Sequence, residues 1–265
     1  MHHQHAKPNA VRLRDPLGHE VKENTVTSQQ VAPGSKGNLE RSIMVSKLVH
    51  WSGFASILGG LLFGVAIVLH PLRDAVSVLN SGDAYGTIHF LGAYGLMFQL
   101  LGLVGLYVRE AELIGQRGLR SFIVVFFGQV LYICVLVGDG IMNPLLAKYA
   151  PELVHSTSTA HANADPGLLI ALPALGLFFL GYILFGASML RAKVQSRLGS
   201  LLITFGAPLY IVGGLSFLVL GPASPIVSLI EIAGAIPLGL GYILLGFNVR
   251  SGVNLQVGQM SNSSS

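Results

Sequence analysis

Charge is what this sequence has least of. Only 11% of its 265 residues are Asp, Glu, Lys or Arg, against about 25% in soluble domains, too few to clothe a water-facing surface. Cysteine is nearly absent as well: Cys134 stands alone, which excludes an intramolecular disulfide and leaves the redox compartment unread. The chain has no His-Glu-x-x-His, no Cys-x-x-Cys, no glycine-rich phosphate loop and no Gly-x-Ser-x-Gly elbow, so no motif argues for a catalyst. A net charge of +4 would point to nucleic acid only if the basic residues clustered on one folded face, and they do not.

What the chain has instead is apolar length. Hydrophobic residues make up 52% of it and glycine supplies 33 positions, a pairing typical of membrane helices, whose backbones approach closely through small residues. A helix needs about 20 apolar residues to cross the hydrocarbon core. By that ruler the sequence predicts an all-α membrane protein of six transmembrane helices, at about residues 47–70, 84–108, 121–146, 167–190, 198–220 and 226–249. The last two are separated by the breaker run Gly221, Pro222, Ala223, Ser224, Pro225.

Lys and Arg set the direction. Seven lie in the N-terminal tail, three in the second loop, three in the fourth and one after the sixth helix, against only Arg73 and Lys148 on the other side. Basic residues are retained in the cytoplasm, so both termini are expected there. The polar, aperiodic residues 1–46 are expected to be a disordered tail and 251–265 a flexible one. The opening Met1, His2, His3, Gln4, His5 is only a compositional hint of metal binding.

An internal echo runs through the even-numbered helices. Gly181, Tyr182, Ile183, Leu184, Phe185, Gly186 is matched by Gly241, Tyr242, Ile243, Leu244, Leu245, Gly246, and more loosely by Gly102, Gly105 and Tyr107; helices three and five share Gly128 with Tyr132 and Gly206 with Tyr210. The pattern predicts three similarly oriented two-helix hairpins, with the glycines serving close packing. Pro173 and Pro237 are expected to free backbone carbonyls within helices four and six.

Polar groups at membrane depth are the functional candidates, because burying them is costly. Counting back from the arginines that end the helices places His70, His89, Asp139, Asn143 and Glu231 in one layer near the outer boundary. Asp74, Asp83, Glu152, Asp165, His155 and His161 give the same side an acidic, histidine-bearing character suited to cations or metal ions. Such groups also cap helix ends and reach water without further purpose. Gln99 and Gln129 lie deeper, where cross-helix hydrogen bonds are expected.

The layout resembles that of uncharacterised small multi-pass bacterial membrane proteins, whose helices carry Leu-Gly motifs and end in arginine and whose first helix ends His-Pro, here His70 and Pro71. The resemblance covers roughly residues 46–250. It implies a bacterial plasma membrane and lends no activity, cofactor or catalytic residue.

Three readings follow. The first is binding or translocation of a small solute, proton or cation through the outer polar layer. The second is a non-catalytic subunit of a membrane complex or homo-oligomer, suggested by the glycine-rich faces. The third is a metal- or haem-dependent membrane enzyme, for which only the histidine and carboxylate excess speaks.

Overall fold

The structure, a computed structural model, describes residues 34–154, 168–193 and 196–262. The N-terminal histidines, residues 155–167 with His155, His161 and Asp165, and the last three serines lie outside the described residues. The helical bundle belongs to the compact unit Ser42–Ser265; of the other unit, Met1–Arg41, only residues 34–41 are described.

Every regular element among the described residues is helical: α1 (Gly34–Val68), α2 (Ala75–Ser81), α3 (Asp83–Tyr149), a single 3₁₀ turn (Pro151–Leu153), α4 (Leu168–Ala192), α5 (Arg197–Leu215), α6 (Phe217–Leu220) and α7 (Pro225–Asn262). Five of these segments are long and apolar enough to cross a membrane. The longest, α3, has 67 residues, about 100 Å at the α-helical rise. It is broken at Gly115, whose φ of 58° and ψ of −156° are open only to glycine without strain. Its two arms pack antiparallel: Gln129 Nε2 donates to the Leu96 carbonyl (2.8 Å), and Gly140 faces His89. The loop expected between the second and third helices is therefore a break at one residue.

Helix extends past the spans on both sides: residues 34–46 are helical, and α7 continues to Asn262. The physical reason is cooperativity: a membrane helix supplies the nucleus, and extending it needs only one further hydrogen bond per residue.

The bundle is apolar outside as well as in its core. Trp51, Phe127, Phe205 and Phe247 point outward, while Ser52, Ser56, Gln99, Gln129, Ser200 and Thr204 are buried between helices. Lipid is the solvent that makes this arrangement favourable.

Contacts run α1 to the first arm of α3, arm to arm, second arm to α4, α4 to α5, α5 to α7, and α7 back to α1, so the spans close into a ring. Glycines set the spacing, and the same register recurs three times. Gly59 faces Gln99, Gly128 faces Phe178, and Gly206 faces Leu238; three residues away, Gly102 faces Ser56, Gly181 faces Val125, and Gly241 faces Ile203.

This register stacks two aromatic layers at the centre. One holds Phe63, Tyr132 and Tyr210, with the tyrosine hydroxyls 2.6 Å apart and the Phe63 and Tyr210 rings edge to face at 5.2 Å. In the other, Tyr182 and Tyr242 pair at 2.7 Å, and Tyr182 donates to Gln129 Oε1 at 3.2 Å. Because that donation uses the Tyr182 hydrogen, Tyr242 donates to Tyr182, and the chain runs from Tyr242 through Tyr182 and Gln129 to the Leu96 carbonyl. Gln99 Nε2 likewise crosses to the Gly59 carbonyl at 3.2 Å. Such bonds join helices that have no hydrophobic reason to prefer each other over lipid.

At the basic end, Arg109 Nη1 donates to the carbonyls of Asn248 and Val249 at 2.8 and 2.9 Å, and the Arg250 guanidinium lies 3.6 Å from the Phe54 ring centroid. At the acidic end, α2 lays Val78 onto Tyr85, Ala147 and Val154. The connection between α1 and α2 is tied across the bundle by the Arg73 amide, which donates to the Pro222 carbonyl at 3.1 Å.

Candidate functional site

The polar residues of the acidic end fall into two groups joined by Arg73. Glu231 sits in the second turn of α7, its side chain only 3% exposed, and Arg73 Nη2 donates to its Oε1 in an ion pair. Room for the carboxylate comes from α5. A Cβ on Gly213 would lie 2.5 Å from the Glu231 amide nitrogen, and one on Gly214 would lie 3.2 Å from Oε1. Arg73 is itself 12% exposed. Burial acts to lower its pKa, but the Glu231 carboxylate, with the Tyr210, Tyr132 and Tyr85 hydroxyls, more than offsets this, so the net shift is upward. Its Nε is buried without a hydrogen-bond partner.

The second group is built on the two histidines. His70 follows α1 and His89 lies in the first arm of α3, with their Nε2 atoms 3.2 Å apart. Each Nδ1 rests on a carbonyl oxygen, His70 on Pro71 at 2.6 Å and His89 on Tyr85 at 2.8 Å. The Tyr85 ring packs against both imidazoles, and its hydroxyl accepts from Asn143 Nδ2 at 3.2 Å. Gly140 makes the approach feasible, since a Cβ there would stand 2.8 Å from that of His89. Asp139, its neighbour, acts electrostatically on Tyr85, as does Arg73.

His70, His89 and Asn143 are thus brought together around Tyr85, with Asp139 beside them. Glu231 meets an arginine rather than a second carboxylate. Among the described residues no group of three His, Cys, Asp or Glu side chains is placed to hold a metal ion.

Reasoning from the sequence missed Arg73 and Tyr85. Arg73 counts there only as an exception to the basic-inside pattern, yet a lone cation on the acidic side, three residues after the first helix's His-Pro end, is a ready partner for a buried acid. Tyr85 has no such signal, because an aromatic at a helix start reads as an interfacial anchor.

Asp74, next to Arg73, caps α2: its Oδ2 accepts from the Ser77 amide at 3.1 Å. Burial acts to raise its pKa, but the hydrogen bonds from Ser77 outweigh this and the net shift is downward. A carboxyl depressed in the folded state contributes stability above its ordinary value of about 3.9 and loses it as pH falls through the folded value. Asp74→Ala is expected to cost about 1 kcal/mol at neutral pH, as lost caps do. In thermal melts of the two proteins, that gap should close as the pH is taken below about 3.9.

Compared with protein-family models, with curated proteins and with solved structures, the chain matches none.

Proposed function

We propose that this is a six-span protein of a bacterial plasma membrane, built from three similarly oriented two-helix hairpins with both termini cytoplasmic, and that it binds or passes a small polar solute at its outer end. The repeated glycine register supports the hairpin reading, and the Lys and Arg asymmetry supports the direction.

The functional reading is carried by Arg73. Keeping a guanidinium and a carboxylate inside an apolar bundle is costly, and well-packed apolar residues would stabilise the same contact at least as well. A buried donor left without a partner costs a further 1–3 kcal/mol, roughly. The Arg73 Nε donor therefore suits a solute that presents an acceptor oxygen to it. Glu231 is already engaged by Arg73, so a metal cation would have to displace a resident charge, and a polar solute or a proton fits better than the cation the acidic surface suggests.

The test is thermal melting of the purified protein in detergent against a panel of small carboxylates, phosphate, amino acids and inorganic cations. A solute present at about 100 times its Kd should stabilise by about 2.7 kcal/mol, and Glu231→Gln should abolish the effect. No stabilisation by any panel member, or stabilisation untouched in Glu231→Gln, sinks the reading.

A non-catalytic subunit is the second reading, favoured by an apolar groove between α1 and α7 lined by Gly64, Val65, Val68, Leu240 and Ile243. The mass of the protein in mild detergent separates the two, since a lone monomer counts against a subunit.

A further inference from the structure

We propose that His70 and His89 together form a binding site for one proton, held between their two Nε2 atoms. The argument is a count of hydrogens. A carbonyl oxygen only accepts, so the contacts of His70 Nδ1 with Pro71 and of His89 Nδ1 with Tyr85 require a hydrogen on each Nδ1. A neutral imidazole has one N–H, so two neutral rings would present bare lone pairs at Nε2. Those atoms face each other at 3.2 Å, a hydrogen-bond separation rather than that of two mutually repelling acceptors. A proton between them makes one ring an imidazolium that donates to the other, and every ring nitrogen then has a partner. Among the described residues no group of three His, Cys, Asp or Glu side chains is placed to hold a metal ion there.

The pair lies among charged groups of both signs. Arg73, on the connection from α1, is met by Glu231 of α7 and interacts electrostatically with the Tyr132 and Tyr210 hydroxyls. From α3, the first arm brings Tyr85 against both rings and the second brings Asp139 and Asn143. The Arg73 guanidinium is the charge that acts on His89, and Asp139 acts on Tyr85, which packs against both rings; Asp74 is engaged in capping α2. His89 is 2% exposed, whereas His70 is only partly buried, so the proton enters from water through His70. It adds to an Nε2 lone pair, and no other bond forms or breaks. A second proton would set two N–H groups against each other, which fixes the capacity at one.

The experiment uses the full chain in detergent or nanodiscs, with ¹⁵N-labelled histidine and proton uptake followed over about pH 5 to 8, the range in which histidine titrates. His70→Gln, His89→Gln and the double variant assign the signals and supply the count. Both rings of the wild type should carry hydrogen on Nδ1 throughout. Relative to the double variant, the wild type should take up one proton, the same number as either single variant. Uptake of two protons, uptake of none, or a ring with bare Nδ1 and protonated Nε2 would each overturn the proposal. The ring spectra of the wild type decide the question even where the double variant does not fold. No solute is added, so failure of solute binding leaves the proton site standing, and two independently titrating histidines would leave solute binding untouched.

Discussion

Arg73→Ala is expected to destabilise the protein by about 3–5 kcal/mol, the cost of breaking a buried ion pair from one side. The loss arises less from the missing attraction than from what remains: a Glu231 carboxylate 97% enclosed among α5 and α7 atoms with no charge opposite it. Replacing both partners tests this account. Arg73→Met with Glu231→Leu removes both charges and keeps volume, so most of the stability should return, because replacing both members of such a pair by apolar groups is often neutral. Melting temperatures of wild type, the two single variants and the double variant form the cycle. A double variant no more stable than Arg73→Ala would mean that the arginine acts through packing or through its amide bond to Pro222 rather than through charge.

Gly234→Ala is expected to have a comparable effect, about 3 kcal/mol, at the upper end of what overpacking costs. A Cβ on Gly234 would overlap the Tyr210 amide nitrogen and lie 2.5 Å from its Cα and 2.7 Å from the Leu209 carbonyl carbon. These are backbone atoms of α5 and cannot rotate aside, so the two helices must separate. Separation strains the Tyr132–Tyr210 hydrogen bond and the Gly206–Leu238 approach together. Gly64→Ala is the control. Nothing lies within 4 Å of a Cβ there, and the change should be neutral or stabilising by up to about 1 kcal/mol through helix propensity. Equal losses in the two variants, measured by thermal melting in one detergent, would show that helix spacing at Gly234 is not the controlling quantity.

The helical segments were legible because lipid imposes a length and a composition that few other environments demand. Their ends were less so. Gly115 interrupts α3 with a single residue, and neighbours such as Arg109, Arg117 and Arg120 made that stretch read as a longer loop. Residues 34–46 lack apolar periodicity, yet they are helical next to a span already formed. The tyrosines were visible as a repeat, but the pairing of Tyr132 with Tyr210 and of Tyr182 with Tyr242 depends on which faces meet at the axis. A six-residue echo does not encode that. At the acidic end, depth counting placed His70, His89, Asn143 and Glu231 in one layer without their contacts. It could not show that Glu231 meets Arg73, because that contact joins residues 158 positions apart and depends on α7 closing against α5.

That separation has a consequence for how the protein is made. At synthesis rates of about 5–20 residues per second, the ribosome reaches Glu231 roughly 8–30 s after Arg73. During that interval the arginine has no acid to receive it, and the face of α1 bearing Gly53 and Gly60 awaits the helix that will cover it. Assembly therefore ends with the last span, and a nascent chain halted before α7 carries an open seam from one side of the bundle to the other.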